Sequence, residues 1–183
     1  TFEAPGSYHH SLVVSNIAET AAQMIGAHSL LTRVGAYYHD IGKLVKPEYF
    51  TENQLKEDNK HDHLEPSMSR LVILNHVKEG VELAKKYKLD QRIIDFIPEH
   101  HGTGIMHYFY QRALEGAEER EVVNEANFRY PGPKPQTKET AIVLLADSVE
   151  GAVRALDDPT PTRINETVRK IINNKFIDGQ LDQ

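Results

Sequence analysis

The chain contains no cysteine, which excludes disulfides, thiolate nucleophiles and cysteine-based zinc sites. It has no apolar run approaching the ~20 residues of a membrane span and no signal-peptide pattern at its start, so we expect a soluble polypeptide with no direct membrane insertion. It also lacks a surplus of basic residues: 21 lysines and arginines against 27 acidic residues leave a formal charge of −6. That balance argues against a surface that holds long nucleic acid by counterion release, while a small phosphorylated ligand is compatible with it. No internal repeat, low-complexity tract or linker divides the 183 residues. The length is that of one domain, 1–183, able to bury roughly 70% of its open-chain surface. The chain opens on Thr1 rather than methionine and closes just after an Asp-Gly-Gln-Leu-Asp stretch, so a piece of a longer protein is expected.

Histidine, by contrast, is abundant, with ten residues. A cysteine-free, acidic chain that binds a metal must use imidazole and carboxylate, ligands suited to iron, manganese or zinc in open, catalytic sites. Apolar residues recur at helical spacing with no convincing alternating run, which predicts an all-α fold. The first helix is predicted to start from a Ser7 N-cap and to present Leu12, Val13, Ile17, Ala21, Met24 and Ile25 as one stripe, with His10 on it. A second runs from a Ser29 cap to Ile41 and stops at Gly42, with His39 and Asp40 in its last turn. Residues 51–62 read as a polar surface loop able to border a site. Pro66 opens a third helix that carries His76 and ends before Gly80, followed by a short helix over 81–87.

Ile93, Ile94, Phe96 and Ile97 mark a further helix, interrupted by Pro98 and ended by Gly102, with His100 and His101 between the two breakers. Consecutive side chains diverge on a regular helix, so adjacent histidines serve one site more readily where a helix is ending. Helices are expected over 105–121, 138–156 and 163–176, with a stiff proline-rich connector at 131–135. Asp147 directly follows the apolar run of the helix over 138–156.

Seven ionisable or ligating residues thus fall on apolar helical faces or at helix ends: His10, His39, Asp40, His76, His100, His101 and Asp147. A buried carboxylate needs a charged or hydrogen-bonding partner, and a metal supplies one. Any one of these histidines alone reads as a satisfied core residue; the order His, His-Asp, His, His-His, Asp on successive helices does not. This order resembles the HD superfamily of metal-dependent phosphohydrolases, with His39-Asp40 as the naming pair, and more specifically the cytoplasmic HD domain of the seven-transmembrane HD receptor family. The resemblance rests on Pro5-Gly-Ser-Tyr-His-His-Ser-Leu12, His39-Asp-Ile-Gly-Lys43, Pro47-Glu-Tyr-Phe-Thr-Glu-Asn-Gln54, Asn75-His-Val-Lys-Glu-Gly80, Glu99-His-His-Gly-Thr103, Phe128-Arg-Tyr-Pro-Gly-Pro-Lys-Pro-Gln136, Leu145-Ala-Asp-Ser-Val-Glu-Gly-Ala-Val-Arg154 and Asp178-Gly-Gln-Leu-Asp182.

The resemblance implies an HD-domain helical bundle with a dinuclear metal site. His10, His39, Asp40 and Asp147 would hold one divalent transition metal, iron or manganese, and Asp40, His76, His100 and His101 the other, with Asp40 as the catalytic bridge. Two divalent ions ~3.5–4 Å apart need a shared anionic ligand, which a carboxylate can be and a neutral imidazole cannot. The implied activity is hydrolysis of cyclic di-AMP to linear pApA by attack of a metal-bridging hydroxide on phosphorus, in the cytoplasmic domain of a membrane-anchored bacterial receptor. Self-association into a homo-oligomer is left open.

Lys43 is expected to assist catalysis by contacting a phosphate oxygen or the leaving group, or else to be a C-terminal lysine answering the helix dipole. Thr103 is a candidate phosphate contact or an ordinary turn residue. Arg154, seven residues after Asp147, could meet substrate phosphate or pair with Asp40 or Glu150, the salt bridge being favoured. Tyr38, Tyr49, Phe50, Tyr108 and Tyr110 offer stacking surfaces for adenine or fill the core. His9, His28, His61, His63 and His107 are background, and the stretch His61-Asp62-His63 reads as a solvated loop rather than a surface metal site. Two other functions compete. A non-hydrolytic cyclic-dinucleotide sensor is disfavoured by the complete ligand set, and a cyclic di-GMP phosphodiesterase by the missing Gly-Tyr-Pro signature after Glu99-His-His-Gly-Thr103.

Overall fold

A computed structural model describes residues 3–54, 59–117 and 123–182. The described residues form α1 (Pro5–Ile25), α2 (Ser29–Tyr38), α3 (Pro66–Lys86), α4 (Gln91–Ile94), α5 (Phe96–Glu99), α6 (His107–Gly116), α7 (Lys138–Arg154) and α8 (Pro161–Ile177). Short 3₁₀ turns at Ile41–Val45, Pro47–Tyr49, Thr51–Asn53 and Lys60–His63 lie between α2 and α3, and another at Glu125–Phe128 precedes α7. The fold is all-α as expected: among the described residues, extended backbone pairs only in one isolated antiparallel bridge, Ile105 with Arg129. No helix among them is long and apolar enough to cross a membrane.

The longest helices meet through small residues. The buried face of α1 is Ser7, His10, Ser11, Val14, Ser15, Ala18 and Ala22, not the stripe of larger apolar residues that the pattern selects. Met24 and Ile25 are exposed, and Val13, Ile17 and Ala21 line an apolar groove with α7 and α8. Small side chains let helix axes approach closely. A buried serine is tolerable there because it bonds back to its own helix, as Ser15 Oγ does by donating to the Leu12 carbonyl at 2.8 Å. Val14, Ala18, Ala22, Ala36, Ile142, Val143 and Ala146 form this core cluster with Phe96 of α5.

Helix boundaries differ from expectation at identifiable places. Ser7 does not cap α1; Ala4 occupies the cap position without a side-chain bond, and Ser7 Oγ donates to Glu52 at 3.0 Å. His28 rather than Ser29 caps α2, its Nδ1 accepting from the Leu31 amide at 3.2 Å. Pro98 does not break a helix, because it lies within the first turn of α5, where an amide has no intrahelical acceptor. The expected helix over 105–121 is observed as α6, and its expected residues 118–121 lie outside the described residues. The helix expected over 138–156 ends at Arg154.

Gly42 and Gly80 stop nothing. α3 runs unbroken to Lys86, absorbing the separate helix expected over 81–87, and the two glycines meet where the turn Ile41–Val45 crosses it. A Cβ on Gly42 would stand 1.8 Å from the His76 carbonyl oxygen, and one on Gly80 would stand 2.9 Å from an Ile97 methyl and 3.2 Å from the Gly42 nitrogen. This crossing brings Asp40, two residues before Gly42, beside His76.

Substituting Gly42→Ala therefore forces backbone apart, and a loss of at least the ~1–3 kcal/mol typical of overpacking is expected. Gly151→Ala in α7 meets nothing within 4 Å and should instead stabilise by about 0.5–1 kcal/mol through helix propensity. Urea denaturation of the two variants checks this contrast.

Candidate metal centre

Five segments deliver the seven predicted residues to one place. His10 projects from the second turn of α1, His39 and Asp40 follow α2, His76 lies at mid-α3, His100 and His101 follow α5, and Asp147 lies at mid-α7. Five of them, His10, His39, Asp40, His76 and His100, are buried. Candidate ligand atoms of His10, His39, Asp40 and Asp147 lie within 4.8 Å of one another, as do those of Asp40, His76, His100 and His101.

Asp40 belongs to both groups, and its two oxygens divide between them. Oδ2 lies 3.5 Å from His10 Nε2 and 3.2 Å from His39 Nε2. Oδ1 lies 3.5 Å from both His76 Nε2 and His100 Nε2. Asp147 Oδ1 closes the first group at 3.1 Å from His10 Nε2.

These residues fit divalent cations by a test internal to the protein. The Nε2 atoms of His10, His39, His76, His100 and His101 and Asp40 Oδ1 are buried without a hydrogen-bond partner, and Asp40 Oδ2 meets only the Lys43 ammonium. Each such atom would cost about 1–3 kcal/mol if left unpaired, so a concentration of them in one cavity calls for a ligand. The opposite ring nitrogens are anchored. His39 Nδ1 donates to the Ala36 carbonyl at 2.6 Å, His100 Nδ1 to the Ile97 carbonyl at 2.8 Å, and His76 Nδ1 to the Ile73 carbonyl. His10 Nδ1 donates to Glu150 Oε2 at 2.6 Å. Fixing Nδ1 this way turns Nε2 toward the cavity, the orientation metal-binding histidines use.

Electrostatics separates the two groups. Burial opposes charge on His10, but the neighbouring carboxylates of Asp147, Glu150 and Asp40 prevail and raise its pKa to about 10. Burial instead lowers His76 to about 4, against the pull of Asp40, with His100 and Lys43 adding to the fall. Burial, together with His100 and His76, also holds His101 well below the usual imidazole range. Without metal, then, His10 carries a proton that offsets its carboxylates, while His76 and His101 keep their lone pairs free. Both Asp40 and Asp147 stay ionised below the ordinary carboxylate range: burial opposes this, but Lys43 and His39 outweigh it at Asp40, and His10 does so at Asp147.

Lys43 reaches the centre, with Nζ 2.7 Å from Asp40 Oδ2 and 2.8 Å from Glu52 Oε1. Burial disfavours its charge, yet the two carboxylates hold it protonated above the usual lysine range. It is thus not a solvated lysine answering a helix dipole. Arg154 lies at the rim, 3.6 Å from Glu150 and 4.0 Å from Glu52. Thr103 is used differently from the expected phosphate contact: its amide donates to Gln180 Oε1 at 2.8 Å and its hydroxyl accepts from Gln180 Nε2 at 2.9 Å. The Thr103 amide is thereby committed to the C-terminal segment.

A cleft of about 260 Å³ opens beside the second group, lined by Lys43, Phe50, His76, His101, Tyr108 and Tyr130 among others. Of the aromatics offered for stacking, Phe50 and Tyr108 line it, while Tyr110 packs toward Phe128, and Tyr49 faces His61. Tyr38 is half-buried and does not line it. Tyr130, which sequence reasoning passed over, stacks on His101 with ring centres 4.0 Å apart. His61 is buried rather than solvated, its Nε2 donating to the Tyr49 carbonyl at 2.8 Å, and it joins neither metal-competent group.

Glu150 and Glu52 were also missed as site residues. Glu150 had a signal, since it lies three residues after Asp147 on the same helical face. Glu52 had none, because it sits in a stretch whose composition reads as a surface loop, yet it is tied to Ser7 Oγ at 3.0 Å as well as to Lys43.

The profile of the HD domain family matches residues 7–152. The chain is 48% identical over 181 residues to the cyclic-di-AMP phosphodiesterase PgpH of Bacillus subtilis, an alignment that covers 99% of this chain and 25% of that protein. It is 51% identical over 181 residues to PgpH of Listeria monocytogenes, with the same coverage. The crystal structure of the L. monocytogenes PgpH HD domain in complex with cyclic di-AMP matches with a TM-score of 0.92 at 52% identity, covering 98% of this chain and 82% of that one. The chain spans about a quarter of the length of the curated relatives it matches.

Two outcomes are expected of the centre. In chelator-treated protein the stabilisation due to His10 is full below its unfolded pKa of 6.5 and is lost as pH rises through about 10. That of Asp40 and Asp147 is present above 3.8 and lost as pH falls. A divalent ion on His10 Nε2 removes the alkaline loss, so melting curves at rising pH with and without Mn²⁺ should diverge on that limb; coincident curves would count against the assignment. Glu150→Ala, which frees His10 Nδ1, should weaken metal binding about 10–100-fold, read by competition with a chelator.

Proposed function

The chain belongs to the HD domain family, and from that membership we propose that it is a phosphodiesterase that opens cyclic di-AMP to linear pApA using two divalent transition-metal ions, iron or manganese. The observation that carries this reading is the division of Asp40: each of its buried oxygens faces a different set of imidazoles. The proposed ligands are His10, His39, Asp40 and Asp147 for one ion and Asp40, His76, His100 and His101 for the other. Bound there, the ions would supply a nucleophile at neutral pH and positive charge against the phosphoryl oxygens.

The chain's own residues do the rest. Imidazoles pinned through Nδ1 present preset lone pairs, so little rearrangement is needed on binding. Asp40 keeps its negative charge in a buried position because Lys43 and the histidines surround it. Lys43, held between Asp40 and Glu52, is placed to contact a non-bridging phosphate oxygen as charge develops there. Phe50, Tyr108 and Tyr130 give the adjoining cleft flat apolar walls suited to a nucleobase.

Adenine is preferred to guanine in this reading because relatives at 48–51% identity carry the cyclic-di-AMP name and a solved relative at 52% identity holds that ligand. The complete set of ligating groups favours turnover over passive sensing. We read the segment as the cytoplasmic domain of a membrane-anchored bacterial receptor.

Manganese- or iron-loaded protein is expected to convert cyclic di-AMP to pApA in preference to cyclic di-GMP or a nucleoside triphosphate, as followed by chromatography. Since metal ions contribute several kcal/mol of transition-state stabilisation, Asp40→Ala should lower the rate by roughly a thousandfold or more. Tight binding of cyclic di-AMP with no pApA in either metal form would transfer the assignment to a sensor.

A further inference from the structure

Lys175 is the conspicuous charge that the proposed mechanism leaves unused. α8 contains no buried residue, yet Lys175 is partly buried while Asn173, Asn174, Phe176 and Ile177 around it are exposed. Its side chain turns onto the segment that follows the adjacent histidines. A Cβ placed on Gly104 would stand 3.2 Å from Lys175 Nζ and 3.0 Å from the His101 carbonyl oxygen. A side chain at Gly104 would therefore crowd the ammonium where it now lies against backbone.

The ammonium has no ion pair or hydrogen bond among the described residues. Of the two carboxylates that act on it, Asp178 is already committed: it is held by Arg129 through two bonds, at 2.9 and 3.1 Å, and accepts from Gln180 Nε2 at 2.9 Å. Burial and the Arg129 charge disfavour the Lys175 cation, and Asp147 and Asp178 favour it. It feels Asp147 without pairing to it. Lys43, by contrast, touches Asp40 directly, so the two lysines stand at different depths from the centre.

Building on the phosphodiesterase reading, we infer that Lys175 Nζ binds the second phosphodiester of a cyclic dinucleotide, the one not being cleaved, while Lys43 serves the phosphate at the metal centre. A partly desolvated ammonium with no carboxylate partner is a site for an anion. A ligand with two phosphates on one ring can satisfy both lysines, whereas a single phosphodiester at the centre satisfies Lys43 alone. The subsite therefore selects for dianionic cyclic dinucleotides.

The test compares Lys175→Met and Lys175→Arg with the unaltered protein, using cyclic di-AMP and the single-phosphodiester substrate bis(p-nitrophenyl) phosphate. Loss of a charge-assisted contact predicts a rise in KM for cyclic di-AMP of about 10- to 100-fold in Lys175→Met, with kcat within about twofold. Turnover of the single phosphodiester, metal content and melting temperature should be unchanged, and Lys175→Arg should recover most of the affinity. Calorimetric Kd values should show pApA weakened by a similar factor and AMP unaffected. An equal loss with both substrates, a fall in metal content, or an unchanged KM and Kd in Lys175→Met overturns the inference. Absence of cyclic di-AMP turnover by the unaltered protein would overturn the phosphodiesterase reading alone, because the pApA binding comparison still reports on Lys175.

Discussion

Both oxygens of Asp40 are buried, only the Lys43 ammonium at 2.7 Å from Oδ2 bonds either of them, and the carboxyl group remains ionised. An isolated carboxylate in that setting would take up a proton or draw in water. It persists here because five imidazoles and an ammonium surround it, brought from four segments of the chain. The packing follows from that requirement. α1 must come close enough for His10 to reach Oδ2, so its inward face is serine and alanine. The backbone after Asp40 must cross α3 almost in contact with His76, so glycine occupies both sides of the crossing.

Around this carboxylate, second-rank charges divide the labour. Glu150 orients His10 and draws its pKa upward, so that in the absence of metal a proton stands in for a cation at that half of the centre. His39, His76 and His100 are instead fixed through Nδ1 by main-chain carbonyls, and burial holds His76 and His101 below the usual imidazole range. Glu52 gives Lys43 a second anion beside Asp40. Such a division is stable because charges on this scale cannot be buried singly; each must be offset within a few ångströms.

Much of this was legible beforehand, and what was legible shares a character. The seven residues that meet in the centre were recognisable because chemically demanding groups fell at helix ends and on apolar faces in an order that resembles a known family. Elements were placed within a few residues by apolar periodicity. The failures are equally specific. The wrong face of α1 was expected inside because bulk was taken as the sign of burial, whereas close helix contact favours Ser11, Ser15, Ala18 and Ala22. Gly42 and Gly80 were read as stops because a glycine's local meaning is termination, and its other use, a close crossing, involves a partner far along the chain. The bond of Thr103 to Gln180 could not be foreseen because the two lie 77 positions apart.

By itself the amino-acid sequence determined the helical class and the exclusion of thiol chemistry, and it singled out the seven residues that meet in the centre. These are properties of residue type and of spacing within a few turns. Only the tertiary structure decided which Asp40 oxygen faces which histidines, that Glu150 and Glu52 are part of the centre, and that Lys175 turns inward without an anion. Those facts depend on distances between segments tens to more than a hundred residues apart. No local pattern encodes such distances, because they are set by how the helices pack around the buried carboxylate.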